Sequence, residues 1–200
     1  MASTSTPYGL RAVNLLGGQS YAGSVRLISI ASGYAVNIQV GDPVVIVAAG
    51  TIERMNATTT ATTVTNTGGT AGFAGVFVGC QYTDATTGFT TRQTYVAGTV
   101  ATDIMAMVVD DPDALFQIQA NGTLAQATLG ANAAIIQTVA GANTYMPSGL
   151  QLQISSVATT ATLPIRIVDF VNAPGSTIGD AFTDVIVRIN THFQRQTSGI

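Results

Sequence analysis

Lysine is absent from this sequence of 200 residues, and Glu53 is its only glutamate. Charged residues make up 8% of the chain, against about 25% in an ordinary soluble domain. A helix-rich domain covers its outer faces with Glu, Lys and Arg, so their scarcity argues against a largely helical fold. The seven basic residues are all arginine, no basic patch exists, and the net charge is −3. Direct binding to nucleic-acid phosphates is therefore not expected. Tryptophan is missing too, and aromatics reach only 6%, which disfavours the stacking platforms that sugars need.

The groups that do enzyme chemistry are equally thin. Cys80 is the only cysteine, so no intrachain disulfide can form. Its neighbours Val76-Phe77-Val78-Gly79 mark it as a small core residue rather than a reactive thiol. His192 is the only histidine. It falls on the polar side of an alternating segment and reads as a surface histidine, not a general base. A Cys80–His192 nucleophile and base pair has no local support. No Gly-rich phosphate loop precedes a helix and no zinc spacing occurs, so neither cofactor nor metal is expected. Asp110, Asp111 and Asp113 are the one dense acid group. Calcium takes six to eight oxygen ligands and the downstream glutamate is missing, so a solvated turn is the reading here. No apolar run is longer than Val44–Ala49, which is far short of a membrane span. The opening Met1–Pro7 lacks the basic and apolar regions of a signal peptide. A non-enzymatic protein made in the cytoplasm, with no membrane partner, is expected.

What the sequence does hold is threonine, 30 residues of it. Thr is β-branched and suits a pleated, half-buried surface. Short apolar runs alternate with Gly and Pro breaks: Val25–Ile30, Val44–Val47, Thr51–Arg54, Phe73–Tyr82, Phe89–Val96, Ile104–Val109, Leu115–Ala120, Leu150–Ile154, Pro164–Val171 and Asp184–Phe193. The last places Val185, Val187, Ile189 and Phe193 on one face, and Arg188, Asn190 and His192 on the other. This pattern predicts an all-β fold, a compact barrel or sandwich of short antiparallel strands. At most one short helix is expected, at Leu124–Leu129 with Thr123 as N-cap. Asp110–Asp113 reads as a tight turn. The Thr-rich segment 56–72 reads as an exposed loop or an edge hairpin.

Residues 1–20 are polar and Gly-rich around Tyr8, Leu10, Val13, Leu15 and Leu16. Two readings stand side by side. One is an N-terminal arm that leaves a domain of residues 21–200, with Tyr8, Leu10, Arg11, Leu15 and Leu16 as contacts to a neighbouring subunit. The other is a first strand of the domain itself.

Six stretches stand out in order: Pro7–Arg11, Gly41–Val44, Gly75–Tyr82, Val108–Asp113 through Phe116–Gln119, Gly130–Ala133 and Val187–His192. Taken together, they resemble a family of capsid decoration or cement proteins encoded by tailed phages, and the arm residues would then contact a capsid or a neighbouring subunit. Family members tend to carry Pro after the Leu-Arg pair, where this chain has Ala12. The resemblance implies a virion protein on the capsid exterior. Its partner would be the major capsid protein, it would cross-link neighbouring subunits, and it would be a homo-oligomer, with a trimer favoured. A tail or fibre module that binds host glycan is the competing expectation.

Overall fold

The computed structural model describes residues 4–55, 63–64, 72–137 and 147–195. Among the described residues, thirteen strands run in chain order: β1 (Arg11–Leu15), β2 (Arg26–Ser29), β3 (Pro43–Ile46), β4 (Ile52–Arg54), β5 (Thr63–Val64), β6 (Phe73–Asp84), β7 (Gly88–Arg92), β8 (Met105–Val109), β9 (Ala114–Gln119), β10 (Asn132–Gln137), β11 (Leu150–Ala158), β12 (Ile165–Phe170) and β13 (Asp184–Ile189). The fold is all-β, as the threonine content and the period-two pattern predict. Of the two expected architectures it is the sandwich-like one, built from two antiparallel sheets.

The larger sheet has the order β1-β9-β13-β12-β10-β11, with β5 beside β10. It curls until a single bridge, Ala120 to Leu152, brings β11 against the end of β9. The smaller sheet has the order β2-β8-β6-β3-β4, and β7 pairs with the far half of β6. Between the sheets lies the first core. Phe73, Val76 and Val109 of the smaller sheet meet Phe116, Ile118, Val185 and Val187 of the larger one. A second core lies on the other face of the smaller sheet, around Phe77, Cys80, Ala106 and Val108. Loops roof it over: Ile38 and Tyr95 exchange backbone hydrogen bonds of 3.1 and 2.9 Å above that face.

Strand β6 therefore buries both faces, which is why it reads as an almost unbroken apolar run. Its bulges, opposite Val44/Val45 and at Phe77/Gly79, reset the alternation. They let Val76 and Val78 serve the first core while Phe77, Cys80 and Tyr82 serve the second.

Three expectations are corrected. The short helix at Leu124–Leu129 is a single 3-10 turn over Gln126–Thr128, and the residue before it, Ala125, gives no side-chain cap. Thr123 is thus not an N-cap. Residues 4–16 do not leave the domain: β1 pairs antiparallel with β9, from Arg11 opposite Gln117 to Leu15 opposite Ala114. The physical reason is a free strand edge on β9 and a core site that Leu10 fills at 2% exposure. Finally, His192 is not on the surface but fully buried. β13 ends at Ile189, so the alternation that put His192 outside stops there. Phe193 then turns to the second core instead of joining Val187 in the first. The expectation for the Thr-rich segment 56–72 lies outside the described residues, except that Thr63–Val64 pair with β10.

Candidate interaction site

The site grows from a crossing of backbones. Tyr8-Gly9-Leu10 passes over Gly41-Asp42, and both meet Ser148. Leu10 N donates to Gly41 O at 2.9 Å, Gly9 N to Leu150 O at 3.3 Å, and Ser148 N to Val40 O at 3.0 Å. The approach is close enough to demand glycine. A Cβ on Gly9 would lie 2.5 Å from Ser148 Cβ and 2.7 Å from Gly41 O, and Gly9 sits at φ +73. Gly41, at φ +92, would bring its Cβ within 2.8 Å of Tyr8 O.

Under the crossing lies a buried ion pair, Arg54 Nε to Asp42 Oδ2 at 2.9 Å, with side chains 5% and 0% exposed. Ser148 Oγ donates to Asp42 Oδ1 at 2.5 Å, and Gln39 N to Asp42 Oδ2 at 2.9 Å. Burial pushes the Asp42 carboxyl up from its ordinary range, and the Arg54 guanidinium opposes that push. Asp42, placed between Gly41 and Pro43, reads from sequence as a turn residue; nothing local signals its buried partner at residue 54.

On the outer side, Tyr8 reaches the last strand. Its hydroxyl donates to Asp184 Oδ1 at 2.9 Å. Burial raises the Tyr8 pKa, and the Asp184 charge raises it further. Residues 4–6 are tied down as well: Thr6 N donates to Gln119 Oε1 at 2.8 Å, and Gln119 Nε2 donates to Thr4 O at 3.2 Å.

Between this N-terminal strand and the smaller sheet is a cavity of about 370 Å³. Tyr8, Leu10, Arg11 and Ala12 line one side, and Tyr21, Val40, Val78, Val109 and Pro147 the rest. Of the five residues singled out from sequence, the structure gathers Tyr8, Leu10 and Arg11 here. Leu15 packs against the first core instead. Leu16 is 46% exposed beside the Asp113 turn, where its N–H donates to Asp113 O at 2.7 Å.

Sequence reasoning missed a neighbouring surface. Leu27 pairs with Met107 and Ser29 with Met105, so all four side chains share the face of the smaller sheet opposite the second core. Among the described residues, the first core covers that face fully at Val76 and Val109 and only partly at Val78. Leu27 is left 45% exposed, and Met105, Met107 and Val78 are only half-buried. The signal was present in Val25–Ile30, which places Leu27 and Ile28 on opposite faces.

The chemical groups weighed from sequence do not converge. His192 bridges to Phe73, at the start of β6, while Cys80 lies seven residues further along that strand. At about 3.3 Å per residue the two are roughly 20 Å apart. Burial pushes the Cys80 thiol up to about 11. The three aspartates of the 110–113 turn have separate partners. Arg26 pairs with Asp110 at 3.2 Å, Asp113 N donates to Asp111 Oδ1 at 2.8 Å, and Arg195 pairs with Asp113. Ala114 N closes the expected turn onto Asp111 O at 3.1 Å.

Compared with known proteins, the chain matches no family model, no curated protein and no solved structure.

Proposed function

We propose that this chain is a non-enzymatic structural protein of a tailed-phage virion. It binds the outer surface of the capsid and cements neighbouring major capsid protein subunits, as a homo-oligomer with a trimer favoured. The observation that carries this reading is the uncovered apolar face of the smaller sheet, with Leu27 45% exposed beside Met105 and Met107. Contiguous exposed apolar surface marks interaction sites, and charge is depleted at the cores of interfaces as it is throughout this chain.

The segments that carry the resemblance support the reading in a second way. Pro7–Arg11 and Gly41–Val44, far apart in sequence, meet at the backbone crossing. Gly75–Tyr82 and Val108–Asp113 contribute β6 and β8, which pair. Their shared order therefore reflects one packed unit. On a closed shell each contact is repeated at every lattice position, so a modest energy per subunit stabilises the whole particle.

The test is to mix the purified full chain with capsid shells that lack it. Saturable binding, with a higher shell melting temperature, is the expected result. Shells that neither bind the chain nor gain heat resistance would defeat the reading.

A further inference from the structure

The cavity beside β1 is mainly apolar and carries one exposed arginine in its lining. We infer that it is a socket for one apolar side chain flanked by a carboxylate, presented by a segment of a neighbouring capsid subunit. This rests on the decoration reading and specifies where the contact is anchored. The residues expected to reach outward, Tyr8, Leu10 and Arg11, instead form the wall of a receptacle.

Three observations select that occupant. The cavity, at about 370 Å³, lies at the lower end of the roughly 300–1,000 Å³ range of ligand sites. It has room for an apolar side chain together with part of the segment that carries it, but not for a domain edge. Its lining from Leu10, Ala12, Val40, Val78, Val109 and Pro147 is apolar. The two tyrosines add ring faces rather than free donors, because the Tyr8 hydroxyl is committed to Asp184 and the Tyr21 hydroxyl to Ser24 O.

The charge comes from Arg11. It is exposed, and among the described residues it makes no ion pair, whereas Arg26, Arg54 and Arg195 each hold an aspartate. A guanidinium at the edge of an apolar cavity favours a carboxylate, which it can grip with two parallel N–H donors. The walls are already fixed: Leu10 is core, Val109 pairs opposite Val76, and the Gly9–Gly41 crossing clamps the chain behind them. A preformed socket spends little ordering on binding. Val78, in its lining, also adjoins the uncovered face of Met107 and Leu27. A partner segment laid along that face would thus carry its anchor into the cavity.

The test uses the full chain and shells that lack it, with two variants. Ala12→Met fills the cavity from the β1 side, and Arg11→Glu reverses the exposed charge. Circular dichroism melts check that each variant folds, and Arg11→Glu alone carries the test should Ala12→Met not fold. Both variants are expected to bind shells about ten-fold more weakly than wild type, the loss that follows from removing one anchor contact. Folded variants that bind as tightly as wild type overturn the socket while the decoration reading stands. A second arm titrates the free chain with 1-anilinonaphthalene-8-sulfonate, an apolar anion. Wild type enhances its fluorescence and both variants do so less. If wild type binds the dye but not the shells, the decoration reading falls, and the socket for a capsid segment falls with it, leaving a site for a small apolar anion.

Discussion

The Tyr8 hydroxyl donates a 2.9 Å hydrogen bond to Asp184, joining residues 176 positions apart and fastening the N-terminal strand to β13. With Leu10 in the core and β1 on the edge of β9, residues 4–16 are part of the folding unit. Deleting residues 2–16 should therefore abolish cooperative folding. A soluble truncation with native circular dichroism and a sharp melt would contradict this. Tyr8→Phe removes only the hydroxyl. It should cost about 1.5 kcal/mol in urea denaturation, at the low end for a bond to a charged group because both partners are only half-buried.

Asp42 and Arg54 are an ion pair out of water's reach, with Ser148 and Gln39 completing the carboxylate's bonds. Removing one partner strands the other charge, which costs about 3–5 kcal/mol. Asp42→Asn should be destabilising on that scale. Adding Arg54→Met should restore part of the loss, since the pair is then replaced rather than broken. Strictly additive losses in a double-mutant cycle would show that the two groups do not depend on each other.

His192 gives a pH dependence with a definite sign. Burial lowers its pKa below the ordinary 6.5; Asp110 pulls the other way, and Arg195 adds to the lowering. The folded state then binds fewer protons than the unfolded one. The contribution is fully present above pH 6.5 and is lost as pH falls from there toward the lowered value, with a slope no steeper than about 1.4 kcal/mol per pH unit. Asp42 and Asp184 have raised pKa values, chiefly from burial, and act in the opposite sense as pH rises from the ordinary carboxylate value. Urea midpoints of wild type at pH 7.5 and 5.5 should differ more than those of His192→Gln. Parallel pH profiles would remove His192 as the cause.

Cys80 lies in the second core with its Sγ 3.8 Å from Thr94 O, and its thiol is pushed up to about 11. Since the thiolate is the reactive form, the native protein should be inert to a disulfide reagent at pH 8. Stoichiometric reaction is expected once urea unfolds it. Rapid modification of the native chain would mean that the roof of Ile38 and Tyr95 opens readily.

Much of the sheet structure was legible because local pattern and tertiary demand agree. Val185, Val187 and Ile189 face the first core as their spacing requires, and Asp111-Pro112-Asp113 turns as its chemistry dictates. Legibility ended where a long-range partner decides. Nothing near Leu10 announces the free edge of β9, and nothing near Asp42 announces Arg54. His192 was placed outside because alternation was carried past Ile189, where the strand ends and the backbone bridges to Phe73. β10, which lies between β11 and β12, is not legible as a strand because Asn132-Ala-Ala lacks bulk and β-branching. For the site, Tyr8, Leu10 and Arg11, which the sequence offers as contacts of an arm, line the cavity beside β1. The same aromatic, aliphatic and cationic groups that would anchor an arm also line a cavity.

The central claim is that this chain sits on a capsid and bridges its subunits. Cryo-electron microscopy of the intact particle, at a resolution that traces β-strands, tests it directly. The account predicts density for this two-sheet fold on the outer shell, touching at least two major capsid subunits. The face of Leu27, Met105 and Met107 should be turned toward them. Density for the chain on the tail or a fibre, or none anywhere on the particle, would contradict it.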